Sequence, residues 1–318
     1  MNNNYTNQIN AIVNEVKKAV IGKDPIIIKT LLAILCKGHI LIEDIPGVGK
    51  TTLALAFSKA LSLEHNRMQF TPDVLPSDVT GFNIYNKKTG AFEFRCGAAF
   101  CNLFLADEIN RTSSKTQSAL LELMEEKRIT VDGTTYKLPE PYTVIATQNP
   151  IGSAGTHSLP DSQLDRFMIK LSMGYPDFSG EVNILKSKYN SDPLDNVRPV
   201  ADASFIMSLQ NYISDIYVDD RIYEYVVSLA AATRNHPMIK LGISPRGTLA
   251  LMQISKGIAV ARGRDYVIPD DISYICADVF CHRIMLNSKA KLSDVTAENV
   301  IADVLRTVPV PGIASSGR

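Results

Sequence analysis

The chain has 318 residues, a length that suits two domains better than one compact α/β core. Hydrophobic residues make up 45% and charged residues 21% of it, which is typical of a soluble globular protein, and no apolar run approaches the roughly 18 residues of a membrane span. Because lysine plus arginine (33) equals aspartate plus glutamate (33), the sequence argues against a dedicated nucleic-acid-binding protein, which would usually carry a basic excess.

Helix and strand patterns alternate through the first half of the chain. Apolar residues at i, i+3, i+4 and i+7 predict an amphipathic helix over residues 7–20, and a second apolar helix follows over residues 26–36. Short apolar runs predict strands at residues 40–42, 102–106 and 142–146, with helical stretches between them. Because such runs are typical of strands buried on both faces of a parallel sheet, we expect a doubly wound α/β fold.

The second half of the chain has a different pattern. From about residue 190 the strand signals end and helical periodicity dominates. We therefore predict an α/β core over residues 1–190, followed by a smaller all-helical domain over residues 191–318. The helices predicted in the second domain cover residues 203–216, 220–233, 244–261, 269–283 and 296–304.

The strongest functional pattern is a glycine-containing loop between the first predicted strand and a helix that begins at Lys50. This is the context of a phosphate-binding loop, in which Lys50 would reach the β- and γ-phosphates and the Thr51 hydroxyl would bind Mg²⁺. Asp44 stands where the usual pattern has its first glycine, and we expect tolerance because this position is the entrance of the loop. The residues predicted to bind the phosphates are Gly47, Val48, Gly49, Lys50, Thr51 and Thr52.

Polar residues also follow the next two predicted strands. Asp107 would hold Mg²⁺ directly or through water, and Glu108 would orient or deprotonate the attacking water. Asn149, within residues 146–150, could donate to that water or to a γ-phosphate oxygen. The alternatives are solvated charges at a strand end for the carboxylates and a turn before proline for Asn149.

Two arginines complete the candidate site. Arg166 could point outward to the γ-phosphate of a neighbouring subunit, or it could pair with Asp165 or Asp161 at the surface. Ser244 and Pro245 are a suitable cap and first residue for a helix, which places Arg246 in the first turn. The helix dipole disfavours a cation there, so Arg246 requires an anionic partner, either the nucleotide phosphates or a carboxylate.

Taken together, these motifs resemble those of the AAA+ ATPases, and specifically of the MoxR family. Residues 41–51, Asp44 included, are similar to its Walker A segment, and residues 103–111 are similar to its Walker B segment. The resemblance covers nearly the whole chain and implies a P-loop core and a helical lid that bind ATP or ADP with Mg²⁺. The other matches are Asn149 to sensor 1, Arg166 to the arginine finger, Arg246 to sensor 2, and Val20-Ile21-Gly22 to the segment that covers the adenine.

The resemblance also implies an assembly and a role. Similar proteins form rings, usually hexamers, with the nucleotide between core and lid. Arg246 would report the nucleotide state to the lid, and Arg166 would report it to the next subunit. Relatives act as chaperones that mature or activate partner proteins, often with von Willebrand factor A domains and metal centres.

Two hairpins are predicted as insertions in the core. Residues 80–97 contain two aromatic strand signals around a Lys-Lys-Thr-Gly turn, and residues 128–138 contain Asp132-Gly133 between strand signals, a strong hairpin cue. In similar proteins such hairpins face the ring pore or a substrate. The alternative is a purely structural role.

Other functions share part of this motif set. The ATPase subunit of a magnesium-chelatase-like complex shares most of it and is the main alternative. A σ-dependent transcription activator would need a helix-turn-helix domain, which we do not find. A small-molecule kinase would not need Arg166 and Arg246, and Glu108 argues against a nucleotide-bound scaffold without turnover.

The cysteines and the first residues of the chain predict where in the cell the protein is found. Five cysteines without close CxxC pairing indicate reduced thiols in a cytoplasmic protein. The first residues have no basic segment leading into an apolar stretch, so we expect no secretory signal. Cys276 and Cys281-His282 do not match the spacing of common zinc sites, and we interpret them as packing residues of a buried helix.

Overall fold

Helices and strands alternate in the first half of the chain, as predicted, in the computed structural model, which describes residues 2–149, 159–190 and 192–312. The strands in these ranges are β1 (Ile40–Glu43), β2 (His65–Gln69), β3 (Gly81–Asn86), β4 (Ala91–Cys96), β5 (Leu103–Asp107), β6 (Arg128–Val131), β7 (Thr134–Lys137), β8 (Thr143–Gln148), β9 (Ile169–Leu171), β10 (Ile239–Leu241) and β11 (Met285–Leu286). The α-helices are α1 (Asn2–Lys17), α2 (Asp24–Leu35), α3 (Lys50–Ala60), α4 (Pro76–Thr80), α5 (Ser114–Glu126), α6 (Asp161–Leu164), α7 (Phe178–Asn190), α8 (Ala203–Ser214), α9 (Asp220–Asn235), α10 (Pro245–Ala261), α11 (Pro269–Phe280), α12 (Ser288–Leu292) and α13 (Ala297–Thr307).

A five-stranded parallel sheet forms the centre of the core, in the order β2-β5-β8-β1-β9. The three predicted strands are its three inner members, β1, β5 and β8. Their carboxyl ends lie side by side at one edge of the sheet, where ligands of open α/β sheets bind. The phosphate-binding loop, the Asp107-Glu108 pair and Asn149 therefore converge at this edge.

Apolar side chains cover both faces of the sheet because successive residues of a strand point to opposite sides. On one face, Leu41, Phe104 and Val144 pack with the apolar residues of α5. On the other face, Ile40 and Ile145 belong to a core cluster that includes α1, α2 and α3 and continues into the C-terminal helices. The predicted domain boundary at residue 190 remains a prediction.

The two predicted hairpins are present. β3 pairs with β4 and β6 pairs with β7, both antiparallel, and Asp132 and Gly133 form the second turn with φ of 47° and 79°. The hairpins contact each other through the stacked rings of Phe94 and Tyr136, whose centroids are 3.9 Å apart. Asn83 Nδ2 also donates to Asp132 Oδ2 at 2.8 Å, so the hairpins form one unit.

The C-terminal region is helical, with one addition to the prediction. β10 and β11 form a short antiparallel pair, so the region is not entirely helical. Strands of two or three residues are too short to show a period in the sequence. Over the ranges that the structure describes, no helix is long and apolar enough to cross a membrane.

His39, immediately before β1, is an uncharged polar link between sheet and helix. Its Nε2 donates to the carbonyl of Met124 in α5, and its Nδ1 accepts from the backbone N–H of Val144 in β8, each at 3.0 Å. Burial lowers the pKa of His39 from 6.5 to about 4. The unfolded chain therefore binds a proton at His39 at a higher pH than the folded chain does. The contribution of His39 to the free energy of unfolding is complete above pH 6.5 and is lost as the pH falls towards 4.

We therefore expect the free energy of unfolding to fall with pH below 6.5, with His39 contributing about 1.4 kcal/mol per pH unit. His39→Gln should flatten this dependence because glutamine can make both hydrogen bonds and does not titrate. Urea unfolding between pH 7.5 and 5.0 measures the effect, and His65→Gln, at an exposed histidine, is the control. An unchanged slope in the His39 variant would contradict the prediction.

Candidate nucleotide site

The loop between β1 and α3 has the backbone of a phosphate-binding loop. Gly47 and Gly49 adopt φ of 87° and 95°, in the left-handed region that favours glycine. Lys50 is buried, and its Nζ donates to the carbonyls of Asp44 at 2.6 Å and Ile45 at 3.2 Å. Burial lowers the pKa of Lys50, an effect that the nearby carboxylates oppose. The ammonium group is thus held across the loop, where phosphate oxygens would replace the carbonyls.

A cavity of about 350 Å³ lies beside this loop. Lys50, Thr51, Asp107 and Glu108 line it together, so the structure unites these predicted residues. Arg67 and Gln69 of β2 also line the cavity, and neither was predicted as a site residue. β2 alternates exposed and half-buried residues and carries no recognisable motif.

The carboxylate of Asp107 lines this cavity and is hydrogen-bonded through both of its oxygens. Its Oδ1 accepts from Thr147 Oγ1 at 2.5 Å, and its Oδ2 accepts from Arg67 Nη2 at 2.8 Å. Across the described ranges, no group of three or more His, Cys, Asp or Glu side chains could enclose a metal ion. One carboxylate and the Thr51 hydroxyl fit Mg²⁺, which is commonly held by one or two protein oxygens together with phosphates and water.

Glu108 lines the cavity, and Asn149, which does not line it, contacts the Glu108 carboxylate from behind the cavity wall. Glu108 has a φ of 57°, a strained value that is common at functional sites. Its carboxylate accepts from Asn149 Nδ2 at 3.1 Å and from Arg111 Nη1 at 2.9 Å. Asn149 Oδ1 is buried and has no hydrogen-bond partner among the described residues, which leaves an acceptor for water. Pro150, the last residue of the predicted polar cluster, lies outside the described residues.

A second cavity, of about 650 Å³, adjoins the phosphate-binding loop and is large enough for a nucleoside. Val20 and Ile21 line it together with Val48, as the resemblance implied for an adenine site. Tyr175 closes another side, and Lys23 Nζ donates to the Tyr175 carbonyl at 2.8 Å. Lys23 and Tyr175 were not predicted as site residues because they lie 152 positions apart in the chain and belong to no local motif.

Arg166 and Arg246 lie together in a third cavity, of about 440 Å³, and neither lines the two described above. Both pair with Glu125 of α5, Arg166 Nη1 at 3.3 Å from Oε2 and Arg246 through Oε1. Of the two anionic partners predicted for Arg246, a carboxylate is the one in contact with it, because the start of α10 faces the end of α5. A contact between Arg246 and nucleotide phosphates stays a prediction.

The sequences of the core and of the C-terminal helices are similar to those of known protein families. Residues 39–169 match the ATPase family associated with various cellular activities (AAA), and residues 231–304 match the AAA lid domain. The chain is 36% identical to "Chaperone MoxR1" of Mycobacterium tuberculosis, over 94% of this chain and 81% of that protein. It belongs to the MoxR family of AAA+ ATPases.

Further similarities support the assignment to the MoxR family. The chain is 48% identical to a Bacillus subtilis protein, YeaC, that has no assigned function, over 94% of this chain and 93% of that one. A crystal structure of a candidate ATPase from Cytophaga hutchinsonii superposes with a TM-score of 0.91 at 36% identity, covering 98% of this chain and 97% of that one. The predicted α/β P-loop core with a helical lid is confirmed.

In this MoxR-family ATPase, Asp44 is more than a substitute for glycine at the entrance of the loop. The side chain is buried, and its Oδ2 accepts from the backbone N–H of Gly174 at 2.6 Å and from Ser172 Oγ at 3.1 Å. Its Oδ1 accepts from the N–H of Ile45 at 2.9 Å. The carboxylate therefore ties the phosphate-binding loop to the segment after β9 that leads to Tyr175.

We expect Asp44→Ala to weaken ATP binding about tenfold or more, since hydrogen bonds to a charged group contribute about 1.5–3 kcal/mol each. Ser172→Ala removes one of these bonds and should have a smaller effect. Titration with a fluorescent ATP analogue measures the affinity, with Asp73→Ala at an exposed aspartate as the control. Normal ATP binding by the Asp44 variant would show that these hydrogen bonds do not support the phosphate-binding loop.

Proposed function

We propose that this protein hydrolyses ATP to ADP and phosphate in a Mg²⁺-dependent reaction, in a ring of identical subunits whose active sites are shared between neighbours. The observation that carries the proposal is the separation of the two arginines from the phosphate-binding loop. Arg166 and Arg246 lie with Glu125 in one cavity, and Lys50, Asp107 and Glu108 lie in another. A complete site then requires two copies of the chain.

The residues of the phosphate-binding loop and its surroundings support hydrolysis. Lys50 and the backbone N–H groups of the loop would bind phosphate oxygens, and Thr51 with Asp107 would hold Mg²⁺, which neutralises phosphate charge when bound. Glu108 would accept a proton from the attacking water, and Asn149 fixes that carboxylate through its hydrogen bond.

The arginine cavity supports the contribution from a neighbouring subunit. Two guanidinium groups placed side by side repel each other, and Glu125 offsets that repulsion in the isolated chain. The Arg166 side chain is 29% exposed, and its Nη1 also donates to the Leu121 carbonyl at 2.5 Å, which holds the guanidinium beside α5. A γ-phosphate of the adjacent subunit would take the place of the carboxylate between the two arginines.

A chaperone role fits the hairpin unit. The curated relative from M. tuberculosis is named a chaperone. In this chain, the hairpin of β3 and β4 exposes Tyr85 and Phe92, the latter with 72% of its surface accessible. Exposed aromatic groups of this kind suit contact with another protein, so we infer that the ring matures or activates a client, with a von Willebrand factor A domain protein as its partner.

We expect Arg166→Ala to leave ATP affinity within about threefold of normal and to lower the turnover rate by about 10³-fold or more. The same subunits mixed equally with Glu108→Gln subunits should regain activity, because a site with intact Glu108 can then meet an intact Arg166. Random mixing in a closed ring makes about a quarter of the interfaces competent. Steady-state ATP hydrolysis at increasing protein concentration, alongside light-scattering mass, measures both effects.

Arg128→Ala is the matched control, because Arg128 is an exposed arginine that pairs with Glu126 next to Glu125. It should keep normal turnover. If the protein is a monomer whose specific activity does not change with concentration, it is an ATPase but its active sites are not shared between subunits. Normal turnover by the Arg166 variant would show that Arg166 does not contribute to hydrolysis.

A further inference from the structure

We propose that Asp165 is a positioning residue that holds Arg166 and Arg246 as one rigid pair, by fastening the chain around Arg166 to the helical lid. This inference rests on the proposed function, in which the pair acts on the nucleotide of a neighbouring subunit. It assigns a role to a side chain that lies next to Arg166 and is outside the motif set.

The carboxylate of Asp165 accepts from two residues of the lid. Its Oδ1 accepts from Arg283 Nε at 2.8 Å, and its Oδ2 accepts from Ser244 Oγ at 2.9 Å. Ser244 is also the N-terminal cap of α10, two residues before Arg246. One carboxylate therefore joins the residue before Arg166 to the turn that carries Arg246.

Arg283 extends this connection along the backbone. Only 2% of its side chain is exposed, and its guanidinium donates to the carbonyls of Phe167 at 2.5 Å, Met168 at 3.1 Å and Asp165 at 3.2 Å. His282 Nε2 is also 3.1 Å from the Phe167 carbonyl. The segment that follows Arg166 is thus bonded to the residues at the end of α11.

The position of Arg283 depends on Asp165. Burial lowers the pKa of Arg283 to about 10, and Asp165 opposes that effect as the carboxylate in contact with it. A buried charge needs such a partner. A side-chain carbon at Gly247 would approach Arg283 Cδ at 3.0 Å, so α10 packs directly on this arginine. The Asp165–Arg283 pair consequently sets where α10 and Arg246 lie.

A fixed pair matters because the two guanidinium groups must meet one phosphate at the same time. In the isolated chain they share a single carboxylate, that of Glu125, whose two oxygens are each paired with one arginine. If the connection through Asp165 is lost, mutual repulsion favours separation of the arginines once Glu125 releases them. The turnover rate then falls, whereas the affinity for nucleotide at the chain's own phosphate-binding loop does not change.

The test uses Asp165→Asn in the full-length protein. Asparagine has nearly the same shape but no charge, so it removes the ion pair with Arg283, while its amide nitrogen can still donate to Ser244 Oγ. We expect kcat to fall about 10- to 100-fold, with the affinity for a fluorescent ATP analogue within about threefold of normal. Asp161→Asn makes the same change at an exposed aspartate four residues earlier and should have no effect.

Mixing experiments separate a positioning role from a general structural one. Subunits with Asp165→Asn should regain activity when mixed with Glu108→Gln subunits, which supply an intact arginine pair, and should not regain it with Arg166→Ala subunits. Ser244→Ala, which removes the lid hydroxyl alone, should lower kcat in the same direction. When Ser244→Ala is combined with Asp165→Ala, which removes both acceptor oxygens, the loss in kcat should be smaller than the sum of the two single effects on the free-energy scale.

Three results would overturn the inference. Normal turnover by the Asp165 variant would do so, as would a loss of activity that Glu108→Gln subunits fail to restore while they do restore Arg166→Ala. Full additivity of the Ser244 and Asp165 changes would also count against it. Failure of the Arg166→Ala and Glu108→Gln mixture itself would instead refute the shared site on which the inference rests.

Discussion

The adjacency of β5, β8 and β1 at the centre of the parallel sheet is the constraint on which the nucleotide site depends. Each of these strands ends at a different part of the site. The Asp107-Glu108 pair lies at the end of β5, Asn149 follows β8, and the phosphate-binding loop follows β1. Parallel pairing brings the three ends to one edge, although Lys50 and Asn149 are about a hundred residues apart in the chain. Both faces of the sheet are buried under helices, so the spacing between the strand ends is fixed by a packed core.

The parts of the site that could be predicted from the sequence are those with a local pattern. Lys50 and Thr51 follow glycines between a strand and a helix, and Asp107 follows a continuous apolar run, so each residue is identified by its immediate neighbours. The turn at Asp132 and Gly133 was predictable for the same reason, since the two residues supply the positive φ that a tight hairpin needs.

The parts that could not be predicted depend on contacts between distant residues. Arg67 reaches Asp107 from an edge strand that has no motif, and Lys23 meets the carbonyl of Tyr175 across 152 positions of the chain. Asp44 was expected to be tolerated in place of glycine because it stands at the entrance of the loop, and the partners that hold its carboxylate come from the distant segment after β9. The carboxylate that Arg246 pairs with lies on a helix 121 residues earlier.

Helix α5 connects the two ends of the proposed mechanism. It begins just after the turn that holds Glu108 and Arg111, and near its other end Glu125 meets both arginines of the third cavity. A helix of 13 residues is about 20 Å long. The chain continues from it directly into the hairpin of β6 and β7. Under the proposed function, a displacement of the turn at Glu108 would therefore shift Glu125 and the base of this hairpin together, because one helix joins all three.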